Sequence, residues 1–215
     1  MKRIIFTLVL FYLSIIVSSA QDFAGKRIIS GNLQLVSTNS ALTQPLQSAS
    51  MGRSNSNLTL STTFLMGKIR ANNTYTAYGF NLVVNSTSTT TGTTATNAIY
   101  FLGPNIQFGK FVKVFDQFYY APNVNLNASI IFGSETPNPN NRTTSGFSFN
   151  GNISPLNFVY QVKGNILLSM NLGSVGVNYN HLKTSEDNGA STTSNLISLY
   201  GSVSNFSGIG AYYLF

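Results

Sequence analysis

Apolar and polar residues alternate one by one over most of this chain, and each stretch of alternation reads as one β-strand. In the last stretch, Leu196 to Phe215, one face carries Ile197, Leu199, Val203, Ile209, Ala211, Tyr213 and Phe215. The opposite face carries Ser198, Ser202, Ser204, Gly208, Gly210 and Tyr212. A period of two is that of a strand whose faces meet different surroundings. The same period runs through Arg27 to Ser37, Asn55 to Met66, Thr74 to Asn85, Asn97 to Gly109, Gln117 to Gly133, Ser145 to Tyr160 and Asn165 to Asn180. It is clearest in the fifth run, where Phe118, Tyr120, Val124, Leu126, Ile130 and Phe132 oppose Asn123, Asn125, Asn127 and Ser129. None of these runs keeps the 3.6-residue spacing of a helix.

Breaks in the alternation predict irregularities. Pro104 and Pro122 lie within strands that they cannot serve as donors, so bulges are expected there. The phase also changes near Pro155 and again at Gly173, as a one-residue bulge would cause. Long polar connections near 38–54, 86–96, 134–144 and 181–194 alternate with short ones near 67–73, 110–116 and 161–164. Eight strands joined by alternating long and short connections predict an all-β fold, an eight-stranded antiparallel up-and-down transmembrane β-barrel. Its short turns and both ends face the periplasm. A soluble eight-stranded barrel would instead turn its apolar face inward.

Composition favours the membrane form. Charged residues are 8% of the 215, against about 25% in soluble domains, and Asn, Ser, Thr and Gly take their place. The start of the chain, with Lys2 and Arg3, an apolar run from Ile4 to Val17, and Ser18-Ser19-Ala20, reads as a secretory signal peptide over residues 1–20. The barrel domain then occupies 21–215. Cysteine is absent, which excludes disulfides and thiolate metal sites. Without the signal peptide, ten basic residues face five acidic ones. Lys26, Arg27, Lys68, Arg70, Lys110, Lys113 and Lys163 gather at the short turns, whereas Arg53, Arg142 and Lys183 balance Glu135, Glu186 and Asp187 on the long connections. Scattered basic pairs without a stripe of stacking aromatics argue against nucleic-acid binding. Basic turns suit anionic phospholipid headgroups.

The eight amphipathic runs and the ending Gly208-Ile-Gly-Ala-Tyr-Tyr-Leu-Phe215 resemble the small outer-membrane β-barrel proteins of Gram-negative bacteria, the group that includes the transmembrane domain of outer-membrane protein A. The resemblance implies residence in the outer membrane and contact with its lipid. It also implies an assembly signal at Tyr213 and Phe215, read by the barrel-assembly machinery. On the same footing Phe118, Tyr120, Val124, Leu126, Ile130, Phe132, Leu199, Val203 and Ile209 are expected to face lipid. The family shares an architecture rather than an activity, so a structural or surface-interaction role is the primary expectation.

Candidate chemistry is sparse. Some barrels of this size modify lipid A, and hydrolysis of that kind needs a base beside a hydroxyl. His181 is the one histidine, and it is followed by Leu182-Lys183-Thr184 rather than by the His-x-Ser pair of those deacylases. No catalytic residue, cofactor or metal site is assigned, since Glu186 and Asp187 are adjacent and Glu135 stands alone in another connection. A small passive pore is the remaining alternative; the small, uncharged inward residues leave room for water but supply no charged ring for ion selection.

Overall fold

The computed structural model describes residues 23–42, 53–91, 93–136, 141–203 and 209–215. The signal peptide expected over 1–20 lies outside the described residues. Everything described as regular structure is β: thirteen strands form one antiparallel sheet. They are β1 (Arg27–Leu42), β2 (Arg53–Ile69), β3 (Thr74–Thr91), β4 (Thr93–Lys110), β5 (Val112–Phe115), β6 (Phe118–Tyr120), β7 (Asn123–Thr136), β8 (Arg142–Ser154), β9 (Asn157–Lys163), β10 (Ile166–Asn171), β11 (Gly173–Glu186), β12 (Ser191–Val203) and β13 (Ile209–Leu214).

The expected count of eight is therefore replaced by thirteen, because the later strands are interrupted. Phe111 leaves the ladder between β4 and β5 and donates its N–H to the Asn73 carbonyl, 3.0 Å away. Ala121 and Pro122 separate β6 from β7, and Pro155 and Leu156 separate β8 from β9; a proline has no N–H to continue the ladder. Leu172 separates β10 from β11, and there the Gly173 N–H turns to the Asn171 side chain at 3.0 Å. The sheet curls until β13 pairs with β1, Ile28 opposite Leu214 and Leu33 opposite Ile209. Among the described residues no pairing joins β12 to β1.

The expected irregularity at Pro122 is present: Tyr120 faces Phe158, but Asn123 faces Ser154, a slip of one residue. The one expected at Pro104 is not. Its neighbours keep register on both sides, Phe80 with Pro104 and Asn105 with Asn127, and the Asn127 side-chain amide donates to the Pro104 carbonyl at 3.0 Å. The polar connections also prove shorter than expected. β3 runs to Thr91 with β4 resuming at Thr93, and β11 runs to Glu186 with β12 resuming at Ser191. A ladder needs only backbone groups, and β-branched threonine favours it. The hairpins thus outrun the apolar alternation.

Side chains sort by face throughout. Leu33, Leu35, Phe64, Met66, Tyr78, Phe80 and Phe149 stand exposed on the outside, while Ser30, Asn105, Gln107, Ser129 and Ser148 are buried on the inside. The buried apolar cluster lies at the turn end, with Ile131 of β7 buried apart from it. The cluster contains Phe23, Ile28, Leu65, Ile69, Tyr75, Phe111, Tyr119, Val159, Leu167, Tyr212 and Leu214.

Candidate functional site

The inward positions of ten strands line a cavity of about 660 Å³. Ser30 of β1, Thr63 of β2, Asn81 and Asn85 of β3, and Asn105 and Gln107 of β4 line one side. Asn125 and Asn127 of β7, Asn150 and Asn152 of β8, Asn178 and Asn180 of β11, and Tyr200 of β12 line the other. Every residue of the lining is uncharged. Period-two alternation puts these side chains on one face, and strand register makes them neighbours. Asn125 sits opposite Asn152 and donates to it at 3.2 Å. Thr63 sits opposite Asn81 and donates to it at 2.8 Å. Asn150 bonds the Tyr200 hydroxyl at 3.0 Å, and Ser148 bonds Asn178 at 3.1 Å.

Four carbonyl oxygens of the lining, those of Asn85, Asn105, Gln107 and Asn180, are buried without a hydrogen-bond partner. Asn105 and Gln107 are 6% and 7% exposed. Buried polar groups of this kind usually find a partner, protein or solvent.

Below Tyr212 and Leu65 the interior turns apolar. Phe111 is the centre of an aromatic floor: its ring lies 5.0 Å from Tyr75, 5.4 Å from Phe23 and 5.8 Å from Tyr212. Phe23 also contacts Tyr119 at 4.7 Å. Two departures from the ladder build this floor. One is the break that frees Phe111. The other is the segment ahead of β1, where Gly25 takes φ +83° and donates to the Ile69 carbonyl at 3.1 Å, folding Phe23 under the sheet. A positive φ suits glycine, which has no Cβ to clash. Gly109 makes the room for Tyr75, because a Cβ there would stand 2.6 Å from the Tyr75 ring.

The outward residues expected from sequence sort as follows. Leu126, Ile130, Phe132 and Leu199 are exposed. Phe118, Tyr120 and Val124 are half-buried, with Phe118 stacked between Phe115 and Phe158 and Tyr120 against Phe158. The side chains of Val203 and Ile209 lie outside the described residues. Tyr213 and Phe215 are exposed with their rings stacked 6.2 Å apart, and Phe215 exchanges two backbone hydrogen bonds with Arg27, at 2.7 and 3.0 Å.

His181 falls on the outer face of β11, beside Val177 and Tyr179. Its ring stacks on Phe147 at 4.9 Å, and its Nδ1 pairs with the Asn195 side chain at 2.7 Å. The Tyr179 hydroxyl donates to the same Asn195 oxygen at 3.2 Å. Among the described residues no hydroxyl or carboxylate hydrogen-bonds His181. Glu186 is instead held by Arg142 at 2.8 Å, and Glu135 lies 3.9 Å from Arg142 on the other side. Glu135, expected to stand alone, thus belongs to a three-residue row across β7, β8 and β11. The register pairs Glu135 with Arg142 and Arg142 with Glu186. No three His, Asp or Glu side chains gather as metal ligands among the described residues.

A scan against protein-family models finds no match, and a search of curated proteins finds none that matches either.

Proposed function

We propose that this chain is an integral outer-membrane β-barrel with a structural or surface-interacting role, its interior blocked at the periplasmic end. The observation that carries this is the inversion of polarity. Thirty large hydrophobic residues stand exposed among the described ones, Leu199 at 79% and Ile197 at 73%, while amides and hydroxyls fill the inside. A soluble protein rarely leaves more than a few hundred Å² of contiguous apolar surface to water. A lipid-spanning barrel needs such a surface, flanked by aromatic residues.

Register supports reading the thirteen strands as eight staves. Asn157 faces Asn171 and, across the breaks, Ile153 faces Val175, so β8–β9 and β10–β11 advance in step. Asn123 faces Gly109 and Tyr120 faces Val112, so β6–β7 and β4–β5 do the same. With β12 and β13 taken as one further stave, the pairing of β13 with β1 would close the ring at the turn end. Export by the signal peptide, assembly through Tyr213 and Phe215, and lipid contact at Leu126, Ile130, Phe132 and Leu199 belong to the same proposal. The basic turns would lie against anionic headgroups, each contributing up to about 1 kcal/mol.

The aromatic floor counts against a passive pore, since a conducting path would have to pass Phe23, Phe111 and Tyr119. The partners of His181 count against a hydrolase. The test is heat-modifiability of the mature chain refolded in detergent, with circular dichroism: a faster-migrating unboiled band and β-type spectra only in detergent or lipid support the barrel. Folding in plain buffer as a soluble monomer would overturn it. Leu199→Arg separates the two cases again, costing about 2–4 kcal/mol if the side chain lies near the bilayer midplane and almost nothing if it faces water.

A further inference from the structure

We propose that the cavity is a binding site for a neutral, hydroxyl-rich small molecule, a sugar or polyol. Its volume of about 660 Å³ lies within the range of small-molecule sites, about 300–1,000 Å³, and equals the liquid volume of about twenty waters.

Chemistry narrows the occupant by class. With no charged side chain in the lining, an ionic ligand would leave its hydration shell for a wall without a countercharge. An apolar ligand would strand the amides. Four of their oxygens, on Asn85, Asn105, Gln107 and Asn180, already lack partners, and leaving a buried acceptor unpaired is costly. A hydroxyl answers both halves of an amide, donating to its oxygen and accepting from its NH₂. Asn105 and Gln107 stand two residues apart on β4, on its inward face; both line the cavity, and each has a buried side-chain oxygen without a partner. At the base of the cavity Leu65 and Tyr212 supply an apolar patch, suited to the C–H face of a sugar ring. The floor makes the cavity blind, so a solute is held there and leaves by the end at which it came.

The site rests on the closed barrel proposed above. The test therefore begins with the heat shift of the mature chain refolded in detergent, then follows side-chain amide NMR signals during titration with glucose, maltose, gluconate and glucosamine. We expect glucose or maltose to move the inward Asn and Gln signals saturably, and the charged analogues to bind at least tenfold more weakly. The Asn105→Leu/Gln107→Leu chain, with its heat shift retained, should lose at least tenfold in affinity. A barrel that shows the heat shift but no saturable change with glucose or maltose at about 100 mM overturns the site alone and leaves water as its occupant. Equal binding of the charged analogues also overturns it. A chain without the heat shift overturns the barrel, and the site with it.

Discussion

The two halves of the interior lie along the same curled sheet and are filled in opposite ways. Near the turns the inward residues are Tyr75, Phe111 and Tyr212 in ring-to-ring contact, with Phe23 linking Phe111 to Tyr119; a few residues further along they are mainly Asn, Ser and Thr joined by cross-strand hydrogen bonds. The floor is packed as a soluble core is packed, and its energy comes from area removed from water. The cavity wall gains little area and depends on every amide finding a partner. One end of the curled sheet therefore resists change of volume, and the other resists change of polarity.

The largest test of that contrast is Phe111→Ala. It removes the ring that touches Phe23, Tyr75 and Tyr212, and should cost about 3–5 kcal/mol in urea unfolding from detergent. It should also raise single-channel conductance above the closed baseline in planar bilayers. Gly109→Ala comes next: its methyl meets the Tyr75 ring, and overpacking of this kind should cost about 1–3 kcal/mol, with the shift visible in Tyr75 NMR signals. In the polar half, Asn125→Leu should cost about 1–3 kcal/mol by orphaning Asn152. Adding Asn152→Leu should restore part of the loss, that due to the Asn125–Asn152 pair, while the Asn123 oxygen that Asn125 also serves at 2.9 Å stays unpaired; a further loss in the double variant would mean that the wall is held by size rather than hydrogen bonding. Smallest is Arg142→Met at the far rim. There the ion pairs to Glu186 and Glu135 are partly exposed, and the effect on thermal unfolding should stay below about 1 kcal/mol.

Period two was enough to read the β class, the inward and outward faces of β7, and the slip at Pro122; at Pro155 and Leu172 the strands break without a slip, Ile153 facing Val175 and Asn157 facing Asn171 in one register. The floor was not legible. Phe111 lies in a stretch whose Lys110, Lys113 and Asp116 mark a turn, and only the departure of its N–H to Asn73 sends the ring inside. Phe23 precedes the first alternating run, and Tyr75 and Tyr212 sit on faces otherwise polar. The reach of the hairpins was hidden for a different reason. Ser and Thr runs end the hydrophobic pattern, yet the backbone ladder between β3 and β4 continues to Thr91 opposite Thr93. Pro104 misled because the ladder absorbs its missing donor without a slip, aided by Asn127.

The two backbone hydrogen bonds between Arg27 and Phe215 have a consequence in time. β1 takes β2 as one neighbour early, across a short separation, but its other neighbour, β13, lies almost the whole described chain away. A strand with one free edge is a template for unwanted pairing, and contacts of such long separation form slowly. During folding the open edge of β1 is exposed to other strands until β13 arrives, which makes the joining of these two strands the slow and vulnerable step.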